Sequence, residues 1–173
     1  YRRIYNLSNR SINFRAMLWI KKEIYKDTLY STPLHGELEK IKAMELESQK
    51  VTVQKSQQEL FNFLTNVENY EKIMPESKEK FEVKSQDTFA FALKGMPEIE
   101  LQIKEKREPE FIELGSTSEK FNFKLEVVIE SAGENQSQAQ LFFHGKFNTM
   151  MAMMVKGPLK KFISTLAENT ANL

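Results

Sequence analysis

Alternation of apolar and polar residues in the second half of the chain limits its possible folds more than any other sequence feature. Six strand-like segments lie at 80–85, 88–93, 98–108, 111–116, 121–131 and 138–147. In the third segment, Ile99, Leu101 and Ile103 alternate with charged or amide side chains. Successive side chains of a strand point to opposite faces, and short connections make neighbouring strands antiparallel. The pattern therefore predicts an antiparallel sheet with one buried and one solvated face.

Helical signals flank these strands on both sides. Residues 45–53 predict a first strand, and Ser56 with Glu59 forms a capping box that starts a helix directly after it. A second short helix is expected to end before Pro75, and a long helix closes the chain. A curved sheet covered by one long helix leaves a space between the two. This order therefore predicts an α+β fold that binds something in a pocket.

The chain divides near Met44 into two pieces of opposite charge. Residues 1–43 carry nine Lys/Arg and four Asp/Glu, a net charge of +5, and the remainder carries −4. An acidic body disfavours nucleic-acid binding. We expect residues 1–43 to be a poorly ordered extension, or upstream sequence translated from a misassigned start, and residues 44–173 to form the domain. Two alternatives remain open. One is a basic amphipathic segment within residues 1–30 for a membrane surface or organelle targeting, and the other is a helix that packs on the domain.

Several classes of functional site are excluded by what the sequence lacks. The chain has no cysteine, so disulfides, thiol catalysis and cysteine-ligated metals are excluded. No glycine-rich phosphate loop or nucleophile elbow occurs. His35 lies in the extension, and His144 has the parity of the solvated sheet face, so neither is expected to be catalytic. We expect no cofactor, no metal, no membrane span and a cytoplasmic location.

Three stretches of the sequence resemble the START/Bet v 1-like superfamily, also called SRPBCC or polyketide cyclase/dehydrase-like. They are LESQKVTVQKSQQELFNFLTNVENYEKIMPE, FALKGMPEIELQIKEK and FNTMMAMMVKGPLKKFISTLA, and the match covers residues 44–173. They are most similar to small uncharacterised bacterial members. The resemblance implies a helix-grip fold. In that fold a seven-stranded antiparallel sheet wraps around a long C-terminal helix, and two short helices follow strand 1. Family members commonly hold lipids, sterols, polyketides or plant hormones in the cavity, a few are cyclases, and some are protein-binding co-chaperones.

We therefore expect a monomer or homodimer that binds a small hydrophobic ligand, of lipid, polyketide or isoprenoid type, in an internal cavity between the sheet and the last helix. The alternatives are a polyketide cyclase/dehydratase-type enzyme, for which no catalytic constellation is recognisable, and a co-chaperone-like protein-interaction domain. The expected cavity lining has inward parity and consists of Phe89, Phe91, Met96, Ile99, Leu101, Phe121, Phe123, Leu125, Leu141, Phe143, Phe147, Met151, Met154, Val155 and Phe162. A candidate polar rim consists of Tyr70, Glu105 and Arg107.

Methionines are concentrated at the start of the last helix, where four of the eight lie within residues 150–154. We expect Met151, Met154 and Pro158 to belong to the inward stripe of this helix. Methionine is flexible and polarisable, which suits a wall that accepts varied apolar shapes. Pro158 follows a glycine and lacks the N–H that would bond Met154, so we expect a kink that lets the first turns move as a gate. The alternative is that the methionines and inward phenylalanines fill a solid core.

Overall fold

One antiparallel sheet forms most of the domain in the computed structural model, which describes residues 41–173 apart from the Lys120 side chain. Within these residues eight strands lie in the order β1-β8-β7-β6-β5-β4-β3, with β2 also paired to β8. Their bounds are β1 Ile41–Glu47, β2 Val51–Val53, β3 Lys78–Val83, β4 Thr88–Leu93, β5 Ile99–Arg107, β6 Phe111–Ser116, β7 Phe123–Gly133 and β8 Gln136–Asn148. The predicted sheet is confirmed.

The first strand begins earlier than expected and is split in two. It includes residues 41–43, whereas residues 1–40 and the predictions made for them lie outside the described part of the chain. Ser48 separates β1 from β2 and is buried. Its backbone N–H donates to the Leu141 carbonyl at 2.9 Å, and its hydroxyl accepts a bond from the Leu141 N–H at 3.0 Å. Because these bonds replace the strand pairing, the chain bends at Ser48 without leaving buried groups unpaired.

Three α-helices complete the described part of the chain, and two short 3₁₀ turns accompany them. The helices are α1 Gln57–Thr65, α2 Tyr70–Ile73 and α3 Thr149–Ala171, and the turns are Val67–Asn69 and Glu119–Phe121. The predicted capping box is present, since the Ser56 N–H donates to the Glu59 carboxylate at 2.9 Å and the Glu59 N–H donates to the Ser56 hydroxyl at 3.3 Å. The Ser56 hydroxyl also donates to that carboxylate and, as the largest cause, lowers the Glu59 pKa.

The core lies between the apolar face of the sheet and α3. Cross-strand rows of buried residues cover that face, for example Leu114, Leu125 and Phe143 on successive neighbours β6, β7 and β8. Val83 keeps the inward parity but is 40 % exposed, because β3 is an edge strand. Apolar residues that alternate along a strand therefore produce one buried face, as the sequence predicts.

The last helix differs from its prediction in which residues of its first turns are buried. It is a single helix that continues through Gly157 and Pro158, and the kink expected there stays a prediction. Its buried face contains Val155, Leu159, Phe162, Ile163 and Leu166. Met154 is 71 % exposed and Pro158 is also exposed, so the predicted inward orientation of both residues is wrong. An α-helix completes one turn every 3.6 residues. Val155 therefore lies on the same side of the helix as Leu159 and Phe162, whereas Met154 lies on the outer side.

Candidate ligand-binding site

A row of stacked aromatic rings fills the interior between α2, the sheet and α3. Ring centroids are 4.9 Å apart for Tyr70 and Phe89, 6.1 Å for Phe89 and Phe91, and 5.3 Å for Phe91 and Phe162. Phe89 and Phe91 have 0 % exposed surface, so no water-sized space touches either ring. At this depth α3 therefore rests directly on the sheet through Phe162.

A second group of rings packs on strands β7 and β8. Phe143 lies 4.9 Å from Phe123 and 6.2 Å from Phe147, measured between ring centroids. Gly145 faces the same side, and a Cβ atom on it would lie 2.5 Å from the Phe147 ring and 2.9 Å from the Phe143 ring. Glycine is therefore needed here because the two rings occupy the space of a side chain.

Most of the predicted lining residues lie in this packed core. Met96, Phe121 and Met151 are half-buried, and Met154 is exposed. The remainder are buried: Phe89, Phe91, Ile99, Leu101, Phe123, Leu125, Leu141, Phe143, Phe147, Val155 and Phe162. Their role in lining a ligand cavity stays a prediction.

An open pocket of about 400 Å³ lies where this core reaches the surface beside α3. Its wall joins the segment after α2, the end of β4, the following turn and the middle of α3. The lining residues are Pro75, Ser77, Leu93, Lys94, Met96, Gly157, Pro158, Lys161 and Phe162. Leu93 and Phe162 are each 5 % exposed, so the inner wall is apolar, whereas Lys94 and Lys161 are exposed and stand at the opening.

Backbone hydrogen bonds fix one side of this pocket. The Lys94 N–H donates to the Ser77 carbonyl at 2.9 Å, which ties the end of β4 to the segment after α2. The Met96 N–H donates to the Leu93 carbonyl at 2.9 Å and closes the turn. Gly95 in that turn has φ of +79°, a conformation that favours glycine. The pocket wall on the sheet side is therefore built by a tight turn.

Two other openings, of about 330 and 380 Å³, lie beside β1. Their walls include the exposed charged residues Lys42, Glu45 and Lys146. The first has no aromatic residue in its wall. The second includes Phe123, but its wall also carries the charged residues Glu45, Lys124 and Lys146. The pocket that contains Phe162 is therefore the better candidate for an apolar ligand.

Only part of this pocket lining was predicted from the sequence. Met96 and Phe162 were in the predicted lining, but Pro75, Leu93 and Lys161 were not. The turn Gly95-Met96-Pro97 and the proline after α2 were visible as breaks in the pattern. Those breaks mark where secondary-structure elements end. The local sequence does not predict that these ends lie close to one another in space.

The sequence predicted Tyr70 at the polar rim of a cavity. This prediction is wrong, because Tyr70 lies inside the core. It is 2 % exposed, and its hydroxyl has no hydrogen-bond partner among the described residues. Burial raises the pKa of this phenol well above its ordinary value, because ionisation would place a charge in an apolar environment.

Glu105 and Arg107 form an exposed pair at the other end of the sheet. The Arg107 Nε lies 3.2 Å from the Glu105 carboxylate, and its guanidinium lies 4.1 Å from the centre of the Phe111 ring. Both residues end β5, whereas the candidate pocket lies beside the turn that precedes β5. They are therefore remote from this pocket and do not form its rim.

His144 lies on the solvated sheet face, as its parity predicts. Its Nε2 is 3.5 Å from Glu126 and its Nδ1 is 3.9 Å from Glu45. Lys124 on the neighbouring strand bonds to Glu126 and Glu113, and these carboxylates raise the Lys124 pKa. Lys124 and its two glutamate partners form a group of opposite charges on the solvated face beside His144. Residues 41–173 contain no group of three or more His, Cys, Asp or Glu side chains arranged to hold a metal ion.

No protein-family model and no curated protein matches the sequence. Solved structures do match. Norcoclaurine synthase from Thalictrum flavum aligns with 80 % of this chain and 96 % of its own, at 9 % identity and a TM-score of 0.59. A protein from Thermus thermophilus aligns with 75 % of this chain and 95 % of its own, at 10 % identity and a TM-score of 0.59. The domain has the Bet v 1-like helix-grip fold. The BexL di-domain ARO/CYC protein, from the BE-7585A biosynthetic pathway, aligns with 73 % of this chain and 46 % of its own, at 10 % identity and a TM-score of 0.52.

At these identities the likeness establishes the Bet v 1-like fold alone. In that fold the candidate pocket lies between the sheet and α3, on the side where α2 ends. No helix in the described part of the chain is long and apolar enough to span a membrane.

Proposed function

We propose that this Bet v 1-like domain binds a small hydrophobic ligand, of lipid, polyketide or isoprenoid type, in the pocket beside Phe162. The observation that carries the proposal is the pocket itself. It has about 400 Å³ of space, an apolar inner wall from Leu93, Met96 and Phe162, and lysines only at its opening. Pockets of roughly 300–1,000 Å³ with mostly apolar walls are typical small-molecule sites. Apolar burial would supply most of the affinity.

The Phe162 ring separates this pocket from the rest of the interior. A ligand larger than the open pocket would have to displace this ring from its contact with Phe91 and continue along the apolar face of the sheet. The sequence of α3 supports such a movement. Pro158 cannot bond back to Met154, and the exposed Gly157, five residues before Phe162, adds backbone freedom. The interior residues predicted as cavity lining would then form the deeper part of the site.

Structural relatives show what the fold accommodates. One norcoclaurine synthase structure, 9 % identical to this chain, holds dopamine and hydroxybenzaldehyde. Binding is favoured over cyclase chemistry because the pocket wall contains no carboxylate and no histidine, and its polar side chains are those of Ser77, Lys94 and Lys161. The proposal includes a cytoplasmic location, which is consistent with a chain that lacks cysteine.

Gly157 provides a direct test. It lines the pocket, and a Cβ atom placed on it meets nothing within 4 Å. A Gly157→Phe change should therefore fill the pocket without disturbing the core, whereas Gly157→Ala should leave the pocket open. Titration of the full chain with the neutral fluorescent probe N-phenyl-1-naphthylamine should show saturable binding. We expect affinity to fall at least about tenfold, roughly 1.4 kcal/mol, in Gly157→Phe and to persist in Gly157→Ala.

Equal binding by both variants would place the probe elsewhere and reject this pocket as the site. Absence of probe binding by the wild-type chain, together with no copurified small molecule in native mass spectrometry from the host, would reject the function. Thermal unfolding of both variants serves as the folding control.

A further inference from the structure

The first turns of α3 expose an apolar face that the ligand pocket does not use. Met150, Met153 and Met154 are 70 %, 79 % and 71 % exposed. Residues spaced i, i+3 and i+4 lie on the same side of a helix, so these three side chains form one stripe. Clustered exposed apolar residues, unlike single ones, mark interaction surfaces.

This stripe is not the face by which α3 is attached to the domain. The buried face contains Val155, Leu159 and Phe162, which lie on the opposite side of the helix from Met150 and Met153. The helix therefore already has a packing partner, and the methionines project away from it. A long, flexible thioether side chain suits contact with a surface that has no fixed shape.

Unpaired lysines accompany the stripe. Lys156, Lys160 and Lys161 are exposed on the next two turns, and Glu168 is the one acidic residue of α3. None of the three lysines makes an ion pair with any residue in 41–173. By contrast, Lys50, Lys78, Lys80, Lys84 and Lys124 on the sheet side each pair with a glutamate. Other lysines in 41–173, such as Lys42, Lys94 and Lys106, also lack an ion pair, but on α3 three such lysines directly follow the exposed methionines on one helix.

We propose that this methionine–lysine face, formed by Met150, Met153, Met154, Lys156, Lys160 and Lys161, docks on an anionic lipid bilayer. The methionines would enter the boundary between headgroups and acyl chains, as the apolar side of an interfacial helix does. The lysine stems would lie along the apolar surface while their ammonium groups reach the lipid phosphates. Docking goes beyond the proposed ligand binding and does not require it.

Charge also argues for lipid over a second copy of the chain. A two-fold interface brings the same patch of both copies together. The face has three lysines and no acidic residue, so the same face of a second copy would supply no opposite charge. An anionic bilayer instead offers negative charge along the whole face. Lys161 belongs to this face and also lines the candidate pocket, next to Gly157 and Pro158. Docking would therefore hold the opening of the pocket close to the lipid.

Vesicle co-sedimentation of the full chain tests the proposal. We expect binding to vesicles of equal parts phosphatidylglycerol and phosphatidylcholine, weakening with added salt, and little binding to pure phosphatidylcholine. Replacing Lys156, Lys160 and Lys161 by Gln should weaken binding on the order of 100-fold, at about 1 kcal/mol for each lysine. The triple change of Met150, Met153 and Met154 to Ser should remove most of the binding at low salt.

Matched controls separate this face from general charge effects. Replacing Lys55, Lys72 and Lys106 by Gln removes the same charge elsewhere, and Val83→Ser changes an exposed apolar residue on β3. Both control variants should bind like wild type. Because the chain has no cysteine, an environment-sensitive dye can be attached at Met153→Cys or Val83→Cys. Vesicles should shift the emission of the first label to the blue and leave the second unchanged.

The basic segment 1–43, with a net charge of +5, is the competing explanation for any vesicle binding, and the same experiments distinguish it. If the segment alone binds, the triple methionine variant will sediment like wild type and the Met153→Cys label will not shift. Either result overturns the proposal. A wild-type dimer in light scattering that the methionine variant converts to a monomer, without any vesicle binding, would also overturn it and assign the face to self-association.

Discussion

The two halves of α3 are similarly apolar in sequence but differ in what they contact. From Leu159 onward, the helix buries Phe162, Ile163, Leu166 and Ala167 against the domain. Before Pro158, Val155 is the one buried residue of the helix, and three methionines are exposed. Apolar content therefore does not determine burial in this helix. The exposed methionines belong to the less buried half, and the pocket lies where the two halves meet, at Gly157, Pro158, Lys161 and Phe162.

Hydrogen bonding adds to the contrast. The Asn169 side-chain amide donates to the Ile73 carbonyl at 3.0 Å and to the Met74 carbonyl at 3.3 Å, which joins the second half of α3 to the end of α2. Segments with few buried contacts open at lower free energy than segments in the core. We infer that the first half of α3 is the part able to move around a ligand.

The largest expected effect compares one core residue from the second half with one methionine from the first. Leu166 is 1 % exposed, so Leu166→Ala should lower the free energy of unfolding by about 2–5 kcal/mol through lost burial and a cavity. Met153→Ala should change it by no more than about 0.5 kcal/mol. Urea denaturation of the full chain measures both values. A cost above about 2 kcal/mol for Met153→Ala would contradict the division of the helix into two halves.

An intermediate effect is expected at Asn169. Asn169→Ala removes the Nδ2 group that donates both hydrogen bonds to the end of α2, so it should destabilise the protein by about 1–2 kcal/mol, as the loss of part-buried hydrogen bonds does. Hydrogen exchange should show increased opening of residues 70–74. The neighbouring exposed residue provides the control, since Glu168→Ala should leave exchange in that segment unchanged. Unchanged exchange in Asn169→Ala would mean that apolar packing alone joins α2 to α3.

The sheet and the first helix could be predicted from the sequence because their signals are local. Period-two alternation identifies the buried face of β5 and β7, and the Ser56–Glu59 capping box fixes the start of α1. The orientation of the methionine stripe was predicted wrongly for Met154. Apolar residues occupy every position of 150–155, so those turns have no amphipathic pattern of their own. The side of the helix on which each of these residues lies is set by the second half, where Leu159 and Phe162 are buried against the domain.

The pocket was harder to predict than the fold because its wall comes from distant parts of the chain. Pro75, Leu93 and Phe162 each look like an ordinary apolar residue in its own element. Their proximity depends on how α2, β4 and α3 meet. The burial of Tyr70 has the same origin. A tyrosine at the start of a short helix suits either a rim or a core, and the stack on Phe89 decides between them.

The smallest effect at neutral pH concerns Tyr70, which lies where α2 covers the aromatic row. Its hydroxyl is buried without a partner among the described residues, so Tyr70→Phe should be neutral or slightly stabilising at pH 7. Above pH 10 the free energies of unfolding of wild type and Tyr70→Phe should differ. The raised pKa keeps the folded phenol protonated, whereas the unfolded phenol ionises near 10, so the unfolded state binds fewer protons and wild-type stability falls as pH rises.

Tyr70→Phe should remove the part of the alkaline loss of stability that the phenol causes. The part caused by lysines remains, for example that of Lys80, because hydrogen bonds to the Glu98 and Glu82 carboxylates raise its pKa. Urea denaturation at pH 7 and pH 11 measures the difference. Parallel pH profiles for wild type and variant would show that the phenol reaches water in solution. The row of aromatic rings from Tyr70 to Phe162 would then be open to water at its α2 end. In that case the second half of α3 would not cover a water-excluded core, and it would no longer differ in this respect from the first half.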